Sequence, residues 1–130
     1  MLTAIKDYFK SSFKWADKIS IGKIDNNADK AICFYTSNTA RPAAHAFGGK
    51  ALQSYHHKAV TILIRWGRSK QAAEDKAQAV FDFFDETQFE LNNKHAFALS
   101  VYDGAIDLGT DENGIFEYSI ELDIYMKKES

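Results

Sequence analysis

The sequence predicts an α+β domain in which two helices pack on one face of a largely antiparallel sheet, in the order α-β-β-β-α-β-β. Three observations predict it. Residues 59–66 alternate with period 2, so Val60, Ile62, Ile64 and Trp66 share one face while Thr61, Leu63 and Arg65 share the other. Beyond Gly67, which breaks the strand, Ser69 stands where an N-cap belongs, and Ala73, Ala77, Val80, Phe81 and Phe84 recur at three and four over about Lys70 to Glu86. The third is the stretch Ile115 to Met126, where Phe116, Tyr118, Ile120, Leu122, Ile124 and Met126 alternate with Glu117, Ser119, Glu121 and Asp123. A striped helix between strands of this kind needs a sheet face to cover.

The remaining elements follow from the same patterns. Leu2, Ile5, Phe9 and Phe13 fall on one side of a helical wheel, so the first fifteen or so residues read as an amphipathic helix. Lys18 to Ile24 alternates weakly and ends at the turn residues Asp25-Asn26-Asn27, and Lys30 to Thr36 reads as a strand, which predicts a hairpin. Ser37 to Gln53 holds the only proline, Pro42, and the pair Gly48-Gly49, and reads as a long loop. Loops of that length in compact domains are usually functional or ordered by a partner, and Arg41 and Phe47 are residue types that interfaces favour. The plainer reading is the frayed tip of an extended hairpin. Ala96 to Tyr102 gives a further strand, and Asp103 to Gly114, with its Asp-Gly and Asn-Gly pairs, reads as a second loop.

At 130 residues the chain suits one domain, and 45% hydrophobic residues supply a core without disulfides or metal. A net charge of −2 leaves no basic excess for coating nucleic acid, so no direct nucleic-acid recognition is expected. The lone Cys33 lies in an apolar run and reads as a buried thiol of a reducing compartment. The N-terminus lacks the apolar segment of a signal peptide or membrane span, so a protein that folds in cytoplasm is expected.

Catalytic patterns are absent from the sequence. His56 and His57 are adjacent in a strand and point to opposite faces, while His45 and His95 lie elsewhere, and no HExxH or CxxC spacing occurs. Glu117, Glu121 and Asp123 lie along one strand face instead of converging on a cleft; they read as the charged outer face of an edge strand, where charge discourages stray pairing. Asp107, Asp111 and Glu112 could gather a cation, but their order lacks the EF-hand pattern. No nucleophile elbow or phosphate loop is present, and no cofactor is expected.

Three strings nevertheless carry a family likeness: Ile21-Gly22-Lys23-Ile24-Asp25 after the first helix, Lys58 to Trp66 leading into the second, and Leu108-Gly109-Thr110-Asp111-Glu112-Asn113-Gly114-Ile115-Phe116-Glu117-Tyr118 opening the last strand. With the order of elements, they make the chain resemble the small tail terminator proteins of long-tailed bacteriophages, often labelled minor capsid proteins in phages of Gram-positive bacteria. The resemblance implies a non-enzymatic subunit that forms a ring, usually of six copies, at the head-proximal end of the tail tube. Its partners would be further copies of itself, the tail tube protein and the head-tail connector protein, with no membrane, and its place the tail end or neck of the virion after assembly in host cytoplasm. Interface roles are then expected for Arg41, Phe47, Gly48 and Gly49 of the first loop, Asp107, Asp111 and Glu112 of the second, and the acidic row Glu117, Glu121 and Asp123. Competing readings are a connector or neck subunit, a small metal-dependent enzyme, and a cellular binding module that uses an exposed strand edge.

Overall fold

The fold is described from a computed structural model, which covers residues 2–13, 15, 17–24, 28–37 and 55–127. Among these residues the chain forms α1 (Leu2–Ser12), β1 (Lys18–Ile21), β2 (Lys30–Thr36), β3 (Tyr55–Trp66), α2 (Lys70–Phe84), β4 (Thr87–Leu91), β5 (Lys94–Ser100), β6 (Ile106–Thr110) and β7 (Phe116–Lys127). The predicted α+β class and order of elements hold, and two short strands, β4 and β6, are added to the five expected. The long loop predicted at Ser37 to Gln53, with Arg41, His45, Phe47, Gly48 and Gly49, lies almost wholly outside the described residues.

The strands make one sheet in the order β1-β2-β3-β7-β5-β4, and β6 also pairs with β7. β3 and β7 pair antiparallel along nearly their whole length, from Tyr55 opposite Lys127 to Arg65 opposite Glu117. The other edge of β7 is shared in succession, β6 taking Phe116 to Ser119 and β5 taking Leu122 to Met126. β7 is therefore a central strand, which corrects the expectation of an edge: its twelve residues outrun either neighbour and accept both.

The first two strands are also paired differently from the predicted hairpin. β1 lies parallel to β2, with Lys18 opposite Ala31 and Ile21 opposite Phe34. Parallel pairing requires the chain to return along the length of β1, roughly 13 Å at the usual strand rise, and the connecting residues 22–29 can span roughly twice that. Gly22, at φ 81°, opens the reversal, and its N–H donates to the Phe34 carbonyl at 3.0 Å.

Both helices cover the face carrying Val60, Ile62, Ile64, Tyr118, Ile120, Leu122 and Ile124, all buried in a single cluster with Ile5 and Phe9 of α1 and the stripe of α2. Phe9 sits at its centre: its ring stacks on Phe13 and Phe84 and meets Phe34 and Phe83 edge-on, with centroids 4.8 to 5.7 Å apart. Ser69 caps α2 as predicted, its hydroxyl accepting from the Ala72 amide at 3.3 Å. The helix stops at Phe84, where the Asp85 N–H still reaches the Phe81 carbonyl, the Thr87 hydroxyl donates to the Phe83 carbonyl, and Glu86 takes a positive φ of 56°. Asn92 and Asn93, both left-handed, then close the two-residue turn that joins β4 to β5.

Candidate functional site

The face of the sheet away from the helices carries most of the cross-strand polar chemistry. It is built by register: the odd residues of β3 face those of β7 directly, so Arg65 lies opposite Glu117 and Thr61 opposite Glu121, while His57 is diagonal to Asp123. Each acid of the predicted row thereby meets a partner inside the chain. The Thr61 hydroxyl lies 2.9 Å from both Glu121 carboxylate oxygens, and the Ser37 hydroxyl donates to the same carboxylate at 3.1 Å. His57 Nε2 lies 2.7 Å from Asp123 Oδ1. Beside them Phe97 and Tyr125 stack at 5.0 Å, with the His57 ring 5.0 Å from Tyr125. The row is half-buried in mid-sheet and not the solvated margin that an edge strand would present.

Arg65 anchors the other end of this face. Although no helix covers it, its side chain is only 4% exposed. Nη2 reaches Asp111 at 2.8 Å, Nη1 reaches Glu117 at 3.1 Å, and Nε donates to the Ala28 carbonyl at 3.3 Å. One guanidinium thus ties the β1–β2 connection, β7 and the turn before β7 together. Asp111 is itself the centre of that turn, accepting from the Asn113 and Ile115 amides at 2.8 and 2.9 Å. The Ile115 amide, followed by Arg65, holds the Asp111 carboxyl below the usual carboxylate range.

Arg65, Asp111, Glu112, Asn113 and Glu117 line a shallow, polar cavity of about 480 Å³.

The second predicted loop is partly a strand. β6 runs through it with an irregularity between Asp107 and Gly109, and its residues are all exposed, which hid it from an alternation test. Asp107 is held low by the Gly109 amide and by Lys70, whose Nζ lies 3.1 Å away. Asp107 and Asp111 therefore sit at opposite ends of β6 with separate protein donors, and Glu112 is exposed in the following turn. Among the described residues no group of three or more His, Cys, Asp or Glu is arranged to hold a metal ion. Cys33 is buried, and that burial pushes its thiol up from its ordinary value, away from nucleophilic character.

The profile of the family described as bacteriophage tail terminator protein matches residues 10–127, a span that runs from the end of α1 to the end of β7. The chain belongs to this tail terminator family. A phage virion component, it takes part in virion assembly, with tail or head proteins as its partners. A solved structure that carries no functional description resembles it with a TM-score of 0.57 at 13% identity, covering 98% of this chain and 91% of that one. Likeness at that identity shows the fold. No curated protein matches the chain. No helix among the described residues is long and apolar enough to cross a membrane.

The partners of the acidic row were the part that residue patterns missed. Arg65, Thr61 and His57 recur every fourth residue in β3, and Glu117 and Glu121 are spaced by the same four in β7. That matched spacing becomes a signal once the two strands are known to pair antiparallel.

Proposed function

We propose that this tail terminator acts as a ring, six copies in the simplest case, on the head-proximal end of the tail tube, where it stops tube polymerisation and presents the surface that joins the head connector. Membership in the tail terminator family over residues 10–127 carries this reading. It works by binding, without cofactor or catalysis, a reading supported by the hold that Lys70, Arg65, Thr61, His57 and backbone amides have on Asp107, Asp111, Glu117, Glu121 and Asp123.

Three regions divide the contacts. Arg41, Phe47, Gly48 and Gly49 reach the neighbouring copy or the tube lumen; Asp107, Asp111 and Glu112 meet an adjoining subunit, of the ring or of the connector; the row Glu117, Glu121 and Asp123 faces a basic surface of a tail component. A subunit that must bind a tube on one side and refuse a further tube layer on the other needs such distinct faces.

The test is electron microscopy of gold-labelled protein mixed with tail tubes from the same source. Label at one tube end together with arrested tube growth is the expected outcome. Bare tubes with labelled neck complexes would move the subunit to the connector side.

A further inference from the structure

The exposed large apolar residues of the described chain are unevenly placed. Leu99, Val101, Tyr102, Ile106 and Leu108 fall within ten residues at the end of β5 and along β6, with Tyr102 and Leu108 about half exposed, and the sixth, Ile21, lies on β1. These two places are the two margins of one part of the sheet. At the level of Leu63 to Arg65 the strands run β1-β2-β3-β7-β6, so β1 and β6 each have one partner among the described strands. The remaining margin, β4, differs: Phe89 and Leu91 are buried, and Gln88 and Glu90 occupy its exposed positions. Polar margins are protected from pairing, whereas apolar ones mark a contact.

Chain direction and charge both match β6 to β1. Since β1 is parallel to β2, and each later pair is antiparallel, β1 and β6 run in opposite directions. A second copy continuing the sheet in the same sense would therefore set its β1 antiparallel to β6, the stronger ladder. Residues 99–112 contain no basic residue, and of their four acids Asp107 is paired with Lys70 and Asp111 with Arg65, which leaves Asp103 and Glu112 exposed, whereas 17–23 contain Lys18 and Lys23 against the single Asp17. An acidic margin with an apolar ridge thus faces a basic margin with an apolar residue.

We propose that the β6 edge of one copy pairs antiparallel with the β1 edge of the next, the Leu99–Leu108 ridge covering Ile21. The inference deepens the ring reading and rests on it, because it assigns the surface through which copies meet. The two surfaces differ, so the contact is heterologous and runs head to tail, closing into a ring when the rotation closes.

Disulfide trapping on assembled tails tests the pairing. Ile21→Cys is combined in turn with Ile106→Cys and with Leu108→Cys, since the register is set by whichever traps. Expected is a ladder of covalent species beyond the dimer from a double variant under mild oxidation, with each single variant silent. Leu108→Asp, at an exposed position, should raise the concentration for half-assembly at least tenfold while leaving the melting curve unchanged. Dimers from a single variant would show two-fold pairing of identical edges and overturn the head-to-tail contact. Normal ring assembly by Leu108→Asp, with both double variants untrapped, would also overturn it and leave the ring reading intact. Native mass spectra showing monomers alone, with tube ends bare, would defeat the ring reading itself and this inference with it.

Discussion

Replacing Arg65 with methionine isolates what the outer-face network contributes, because methionine keeps most of the side-chain volume and removes all three polar contacts. The guanidinium is nearly buried, and its loss leaves Glu117, Asp111 and the Ala28 carbonyl without it. Breaking one side of a buried ion pair costs about 3–5 kcal/mol when the surviving charge is sealed from water. Here the Asp111 and Glu117 side chains keep 19% and 23% of their exposure, so water can re-enter and the cost falls below that range. A loss of about 2–3 kcal/mol follows. For a chain of this size that lowers the melting temperature by roughly 10 °C, and the urea midpoint by roughly 1–2 M.

Urea unfolding read by tryptophan fluorescence measures the loss, and amide exchange locates it. The Gly114 and Ile115 amides should lose protection first, since the turn they close hangs on Asp111. Arg65→Lys should recover little, because a lysine cannot serve three acceptors in the same fork. Arg65→Met combined with Asp111→Asn and Glu117→Gln should recover most of the loss, because no unpaired charge is then left behind. A loss below about 0.5 kcal/mol for Arg65→Met alone would refute the reasoning and class these pairs with solvated surface ones.

Four further outcomes are expected. Phe9→Ala, which empties the centre of the aromatic cluster, should cost about 3–5 kcal/mol in a thermal or urea melt. Ser69→Ala should cost about 1 kcal/mol and show as fraying of the first turn of α2 in amide exchange. Asp107 and Asp111 both have folded-state carboxyls below their ordinary 3.8, so their contribution is complete above that value and is lost as pH falls through the lowered one. An acid titration should therefore show a shallower loss of stability for Asp107→Asn with Asp111→Asn than for the unmodified chain. Charge reversal separates recognition from folding: Glu112→Lys, at an exposed turn, should impair assembly at unchanged melting temperature, whereas Glu121→Lys should lower that temperature as well, because it abandons Thr61 and Ser37.

The parts that were legible in the sequence are those where one face of an element is buried. The alternation of β3 and β7, the stripe of α2 and its Ser69 cap survive in the structure nearly residue for residue, because each apolar position is paid for by the same core. β4 left a fainter trace, Phe89 and Leu91 ahead of Asn92-Asn93, which is a two-residue hairpin turn with both φ positive. β6 left none: Ile-Asp-Leu-Gly-Thr buries neither face and is held as a strand by its ladder to β7 and by the fold of the Asp111 turn. The parallel placement of β1 was hidden for another reason. Turn residues at Asp25 to Asn27 state that the chain reverses, but not whether the strand that follows enters beside its predecessor from the near or the far end.

Strand order also decides what the acidic row can do. On an edge strand Glu117, Glu121 and Asp123 would be spare charges, open to any basic partner at the cost of a few ordered side chains. In mid-sheet they already hold Arg65, Thr61 and His57, and a partner's lysine would have to displace donors that also tie β3 to β7. Recognition through the row is therefore coupled to the stability of the sheet, while recognition through the exposed Leu99, Tyr102, Asp103, Leu108 and Glu112 of the margin is not. A subunit that must add to a growing assembly without loosening its own fold is better served by the margin, and there the exposed apolar residues coincide with the exposed acids Asp103 and Glu112.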